Sequence, residues 1–122
     1  LLVDDDDVNL MVFTSYLKDT SYQIDTAENG VEALEMFVLG SYDIILMDIE
    51  MPVMDGFEAI RKIREWERSN SAEQTPIIAL TAHALQEIKN KIFEAGCNFH
   101  LSKPVNKARL LEAIQKHHPE ID

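Results

Sequence analysis

Basic residues are scarce in this chain of 122: 11 Lys and Arg stand against 22 Asp and Glu, a formal net charge of −11. No basic stripe exists to displace counterions from phosphate, so direct binding to nucleic acid or to an anionic membrane surface is excluded as a function class. Cysteine is nearly absent. Cys97 alone rules out an intrachain disulfide framework and suits a reducing compartment, and between Gly96 and Asn98 it reads as a small packing residue rather than a nucleophile. No apolar run approaches a membrane span and no charged-then-apolar leader opens the sequence, so a cytoplasmic location without membrane insertion is expected. Internal repeats and low-complexity tracts are missing too. What is present, 46% hydrophobic residues in a short chain, suffices for one domain over 1–122 with a single ordinary core.

Short β-rich apolar runs alternate with amphipathic helical patterns, an order that implies a parallel sheet covered by helices on both faces. The runs Leu1 to Val3, Tyr22 to Ala27, Asp43 to Met47, Pro76 to Leu80 and Asn98 to Ser102 read as strands. Ile44-Ile45-Leu46-Met47 and Ile77-Ile78-Ala79-Leu80 lack polar alternation, which suits central strands buried on both faces. A helix follows each strand. In the first, Val8, Val12, Phe13, Tyr16 and Leu17 recur at helical spacing and are expected to face the sheet, leaving Leu10 and Met11 exposed. The second carries Ala33, Leu34, Phe37 and Val38 and stops at Gly40. The third runs from about Gly56 to Glu67 with a narrow apolar face of Phe57, Ile60 and Ile63, where Arg64 occupies the place of a further apolar residue. The fourth spans about Leu85 to Ala95, ending at Gly96, and the fifth about Lys107 to Lys116. The chain opens inside its first strand, so that strand is expected to extend upstream of Leu1.

Four consecutive aspartates, Asp4 to Asp7, follow directly on the first strand. At about 4 Å and an effective dielectric near 20, each like-charge pair costs on the order of 4 kcal/mol, so the cluster needs a cation, a lysine or protonation unless its members face water or cap the next helix. In an open parallel sheet, ligands bind beyond the carboxyl ends of the strands. There the first strand supplies Asp4 and Asp5, the third Asp48, the fourth Thr81 and the fifth Lys103-Pro104. Three carboxylates, a hydroxyl and an ammonium on one rim suit a small hard cation such as Mg²⁺, with open positions for a phosphoryl group. Asp48 then has the character of a carboxylate nucleophile toward phosphorus, with Thr81 and Lys103 on the phosphoryl oxygens.

Taken in order, Val3-Asp4-Asp5, Leu46-Met47-Asp48, Met51-Pro52-Val53-Met54-Asp55-Gly56, Leu80-Thr81-Ala82 and Ser102-Lys103-Pro104 resemble the receiver domain of the two-component response-regulator family over essentially the whole chain. The fold class that goes with this is α/β, a doubly wound, flavodoxin-like, five-stranded parallel sheet of strand order 2-1-3-4-5. The resemblance implies that Asp48 is the phosphoacceptor and that Asp5, Asp48 and the backbone carbonyl of Glu50 ligate Mg²⁺ (or Mn²⁺), with Asp4 acting through water. It implies that Lys103 and Thr81 bind the phosphoryl group and that Lys103-Pro104 is a cis peptide. The phosphoryl would come from a phosphohistidine on a sensor histidine kinase or a histidine phosphotransfer protein. Phosphorylation would change the face of the fourth helix, fifth strand and fifth helix. The domain itself would catalyse only its own phosphorylation and slow autodephosphorylation, as a monomer or a weak phosphorylation-dependent dimer.

Three features depart from the family pattern or vary within it. Where the family places tyrosine or phenylalanine three residues before the lysine, this chain has His100, expected to make the switch depend on pH because its unperturbed pKa is about 6.5. Glu50 and His83, two residues after Asp48 and Thr81, are placed to orient or exclude the water that hydrolyses the acyl phosphate. Leu10 and Met11 form an expected docking surface for a histidine-bearing helix.

Two other function classes share parts of this pattern. A haloacid-dehalogenase-like phosphatase also uses a strand-end aspartate with Mg²⁺, but Asp48-Ile49-Glu50 lacks its second aspartate and no cap domain fits. A flavodoxin-like nucleotide carrier needs Gly, Ser and Thr in the first loop, where four aspartates repel phosphate. No effector segment follows within the sequence, so the signal is expected to pass by contact. The chain is either a stand-alone regulator or the receiver of a hybrid kinase, and 63–67 and 75–84 resemble the latter more.

Overall fold

The computed structural model describes residues 1–51, 53–82 and 85–117; Pro52 and His83, both singled out above, lie outside them. Five strands, β1 (Leu2–Val3), β2 (Thr26–Ala27), β3 (Ile45–Asp48), β4 (Ile77–Thr81) and β5 (Phe99–Ser102), alternate with α1 (Asp7–Leu17), α2 (Gly30–Leu39), α3 (Gly56–Ser69), α4 (Gln86–Ala95) and α5 (Lys107–His117). All strand pairs are parallel, in the order β2-β1-β3-β4-β5. Strand pleating sorts the core into two layers. Leu2, Leu46, Ile78, Leu80 and Leu101 meet Leu10, Phe13 and Leu17 of α1 and Leu110, Ala113 and Ile114 of α5. Val3, Ile45, Met47, Ile77 and Ala79 meet Phe37 of α2, Ile60 and Ile63 of α3, and Ile92 of α4. Among the described residues no helix is long and apolar enough to cross a membrane.

β2 is shorter than the run Tyr22 to Ala27, because a parallel ladder extends only as far as its partner and β1 offers Leu2 and Val3. β3 and β4 each run one residue further than expected, so Asp48 and Thr81 are themselves ladder residues, in register with Leu80 and Ser102. The first three helices start at side-chain caps, and α4 starts without one. Asp6, Asn29 and Asp55 accept from the amides of Val8, Glu32 and Glu58 at the heads of α1, α2 and α3. Gly56 is required by close approach, since a Cβ there would sit 2.5 Å from the Asp48 carbonyl oxygen. α4 ends on Gly96 at φ 117°, the left-handed position that favours glycine.

α1 is rotated relative to the sequence expectation. Leu10 is buried, at 8% exposure, while Val8, Met11 and Val12 stand at 63%, 70% and 39%. Apolar residues nearly ring this helix, so two stripes compete; the one chosen by packing contains Leu10, Phe13 and Leu17, spaced i, i+3, i+7. Val38 of α2 is likewise exposed. Cys97 is buried with its Sγ toward the Phe99 carbonyl, and burial pushes its thiol up to about 11, as a packing residue requires.

Candidate functional site

The carboxyl ends of β1, β3, β4 and β5 converge as Asp4-Asp5, Asp48, Thr81 and Ser102-Lys103. Asp4 and Asp48 are 0% and 1% exposed, and Thr81 is also buried, whereas Asp5 is open to solvent. One carboxylate oxygen from each of Asp4, Asp5 and Asp48 lies within 4.8 Å of the others, the grouping among the described residues that suits a metal ion. At that spacing each like-charge pair costs about 3–4 kcal/mol at an effective dielectric near 20.

Lys103 is the cation already present. Its Nζ donates to Asp48 Oδ1 at 2.9 Å and stands 3.6 Å from Asp4 Oδ2. Its backbone amide donates to the Thr81 carbonyl at 2.8 Å, and Lys103-Pro104 is a cis peptide. Burial works against the ammonium, but the hydrogen bond to Asp48 and the charges of Asp48, Asp4 and Glu50 hold its pKa above the ordinary value. One ammonium does not satisfy this cluster. Burial, aided by the charges of Asp4 and Glu50 and opposed by Lys103, pushes Asp48 up to about 7.

Asp4 is positioned by the Asp6 amide, which donates to Oδ1 at 2.9 Å, and by Asn9, whose Nδ2 lies 3.3 Å from Oδ2. Asn9 was not singled out in the sequence, although its place five residues after Asp4, in the first turns of α1, aims it back at the strand end. Glu50 reaches across the site. Its amide donates to Asp48 Oδ1 at 3.3 Å, while its Oε1 accepts from the Thr81 hydroxyl at 2.9 Å and from the Ala82 amide at 3.3 Å. The Ala82 amide is a second donor that side-chain reading alone does not reveal.

Of the remaining expected site residues among those described, Leu10 is placed differently. His100 lies beside Ala79 in the seam of β4, β5 and α4, its ring edge-on to Phe93 at 5.8 Å and against Phe99 at 6.0 Å. Leu10 belongs to the core and not to a surface, because α1 turns it onto the sheet; Met11 is exposed as expected.

The site's oxygen-only donors fit a hard divalent cation, since two buried carboxylates and an exposed third, with oxygens within 4.8 Å of one another, require more positive charge than Lys103 supplies. Asp4, Asp48, Thr81 and Lys103 thus stand on four adjacent strand ends, buried carboxylates beside a hydroxyl and an ammonium. The chain spans only about 5–15% of the length of the curated relatives it matches. Over 126 residues it is 46% identical to hybrid signal transduction histidine kinase B of Dictyostelium discoideum, covering 96% of this chain and 6% of that protein. The receiver domain of the sensor histidine kinase PA1611 from Pseudomonas aeruginosa, solved with magnesium coordinated in its active site cleft, is 38% identical, with a TM-score of 0.85 over 95% of this chain and 93% of that one. The receiver domain of Ssk1 from Saccharomyces cerevisiae, solved with the histidine phosphotransfer protein Ypd1, is 33% identical, with a TM-score of 0.91 over 96% and 86% of the two chains. With residues 1–115 matching the model of the response regulator receiver domain, and the five-stranded order and strand-end residues in place, the chain belongs to that family of two-component phosphorelay receivers.

Proposed function

We propose that Asp48 is the phosphoacceptor of this receiver. The observation that carries the reading is the convergence of Asp4, Asp5 and Asp48 within 4.8 Å on a strand edge where Lys103 donates to Asp48 at 2.9 Å. A Mg²⁺ or Mn²⁺ ion would be held by Asp5, Asp48 and the Glu50 carbonyl, with Asp4 through water. When bound, such an ion supplies charge neutralisation for the carboxylates and the incoming phosphoryl oxygens.

The chain's own residues do the rest. A carboxylate oxygen of Asp48 forms the new P–O bond as the P–N bond of the donor phosphohistidine breaks, and the bonding pair returns to the imidazole nitrogen. Lys103 and the Thr81 hydroxyl hold phosphoryl oxygens, and Glu50 sets water access to the product. The reading is tested with a phosphorylated histidine donor and with acetyl phosphate. Incorporation of a hydroxylamine-labile phosphoryl group is expected in Mg²⁺ and not in chelator; labelling that ignores chelation or survives loss of Asp48 would sink it.

The donor is a sensor histidine kinase or a histidine phosphotransfer protein, a reading supported by the hybrid-kinase relatives and by the Ypd1 complex of a similar receiver. Of the expected pair Leu10 and Met11, only Met11 is exposed, and it joins Val8 and Val12 in a stripe at i, i+3, i+4 on α1 beside the acidic mouth that serves as the docking surface. Met11→Asp is expected to slow transfer from a phosphohistidine protein by about tenfold while leaving labelling by acetyl phosphate unchanged. Equal slowing with both donors would place Met11 in the chemistry and not in docking.

His100 gives the switch face a pH dependence of definite sign. Its Nδ1 is buried without a hydrogen-bond partner among the described residues. Burial first, then the charges of Lys89 and Arg109, lower its pKa below 6.5. The folded state therefore prefers the neutral ring, and its contribution is intact above pH 6.5 and lost as pH falls through the lowered value. In thermal melts the wild type is expected to lose stability relative to His100→Phe between pH 7.5 and about 5, a range bracketing the ordinary imidazole pKa. Parallel curves for the two proteins would remove His100 from the pH response.

A further inference from the structure

We infer that the Glu50 carboxylate is a resident anion that holds the Thr81 hydroxyl and the Ala82 amide, and that phosphorylation proceeds only as Glu50 gives these donors up. The inference rests on the phosphoacceptor reading of Asp48 and adds to it a competitor built into the site.

One oxygen, Glu50 Oε1, takes both hydrogen bonds, at 2.9 Å from Thr81 Oγ1 and 3.3 Å from the Ala82 nitrogen. Both donors sit at the carboxyl end of β4, and both are thereby shown to point where an anionic oxygen can lie between them. A phosphoryl oxygen on Asp48 needs donors of this kind: the Lys103 ammonium, which gives one N–H to Asp48 Oδ1, can reach one phosphoryl oxygen, and the Thr81 and Ala82 donors at the end of the neighbouring strand are placed for another. Two anionic oxygens cannot share one pair of donors without the repulsion that already raises the Asp4, Asp5 and Asp48 cluster in energy. Glu50 has somewhere to go. Its residue is exposed, while Thr81 is fully buried, so the carboxylate can swing into water without uncovering core, and the Thr81 hydroxyl must be re-used by whatever replaces it. Reach matters as much as charge, because Glu50 spans from the β3 edge to the β4 edge and a side chain one methylene shorter falls short.

Glu50→Ala, Glu50→Asp and Glu50→Gln separate these contributions. Beryllium fluoride, a tetrahedral phosphoryl mimic, is titrated into each protein in excess Mg²⁺ and followed by the amide resonances of Thr81 and Ala82; Mg²⁺ alone is titrated in parallel. Loss of one charge-assisted competitor is expected to tighten beryllium fluoride binding about tenfold in Glu50→Ala and, because reach is lost, nearly as much in Glu50→Asp. Glu50→Gln, which keeps the reach and an acceptor oxygen, is expected to lie between these and the wild type. In the unliganded proteins the Ala82 amide proton should move upfield in Glu50→Ala and Glu50→Asp but not in Glu50→Gln. Tightening in Glu50→Ala and Glu50→Gln with none in Glu50→Asp would overturn donor capture in favour of bulk charge. Unchanged or weakened binding in Glu50→Ala, with the wild type still binding the mimic, would overturn the inference alone. Failure of all four proteins to bind it would overturn the reading of Asp48 and the inference with it.

Discussion

Asp48→Asn is expected to abolish phosphoryl incorporation and, in chelator above pH 7, to leave the fold more stable than the wild type. The first effect is the loss of the attacking oxygen's charge and should reduce labelling by on the order of a thousandfold or more. The second follows from the site's electrostatics. Asp48 ionises near 3.8 when unperturbed and about 7 in the folded chain, because burial and the charges of Asp4 and Glu50 outweigh the help of Lys103. A raised folded value means stability that is fully present below pH 3.8, where both states hold the proton, and lost as pH rises through about 7. Above that, the wild type carries an ionised, crowded carboxylate that Asp48→Asn lacks, while the amide oxygen can still accept from Lys103. The gain at pH 8 should be on the order of 2–4 kcal/mol by urea unfolding and should vanish near pH 4. Millimolar Mg²⁺ should reverse the ranking, since an ion bound to the folded wild type stabilises it by mass action and Asp48→Asn lacks one of its ligands. Equal stability of the two chains at pH 8 in chelator would mean that the acidic cluster carries no strain.

The site was legible in the sequence because its logic is topological. Asp4, Asp5, Asp48, Thr81 and Lys103 each stand just past an apolar run, and a parallel sheet brings such positions together whatever the intervening helices do. Asp6 was legible as a helix-start residue for a local reason, its i to i+2 hydrogen bond to Val8. What the sequence hid were phases and long-range pairings. α1 is apolar on most of its circumference, so periodicity offered Val8 and Val12 as readily as Leu10, and only the sheet's surface decides between them. Glu50 meets Thr81 across 31 positions of chain, a contact that spacing cannot announce. The narrow apolar face of α3 has its explanation in partners that spacing does not connect to it.

That face is completed by charge. Arg64 and Glu67 are 3% and 1% exposed, and every arm of the guanidinium is engaged at the end of the sheet opposite the acidic site. Nε donates to the Gly96 carbonyl at 2.8 Å, Nη1 to Glu67 Oε1 and the Thr75 carbonyl at 2.8 Å each, and Nη2 to Asn98 Oδ1 at 2.7 Å. Glu67 Oε2 accepts from the Thr75 amide and Asn98 Oδ1 from the Ile77 amide, so α3, the entry to β4 and the turn after α4 are tied through one cation. Gly96 belongs to the same fit, since a Cβ there would stand 2.7 Å from Arg64 Cγ. Arg64→Met should therefore cost about 3–5 kcal/mol, because it leaves Glu67 as a buried, uncompensated carboxylate and frees two backbone carbonyls. For a domain whose whole stability is of order 5–15 kcal/mol, that is enough to shift the urea midpoint far or to unfold the chain at 37 °C. Removing the carboxylate as well, in Arg64→Met/Glu67→Leu, should restore much of the loss, with a coupling energy above about 1 kcal/mol in the double-mutant cycle. Additive losses would mean that the two side chains act separately. Labelling by acetyl phosphate in the refolded double variant should stay near wild type, since no atom of the network touches Asp48, and its loss would instead tie the far end of the sheet to the acidic edge.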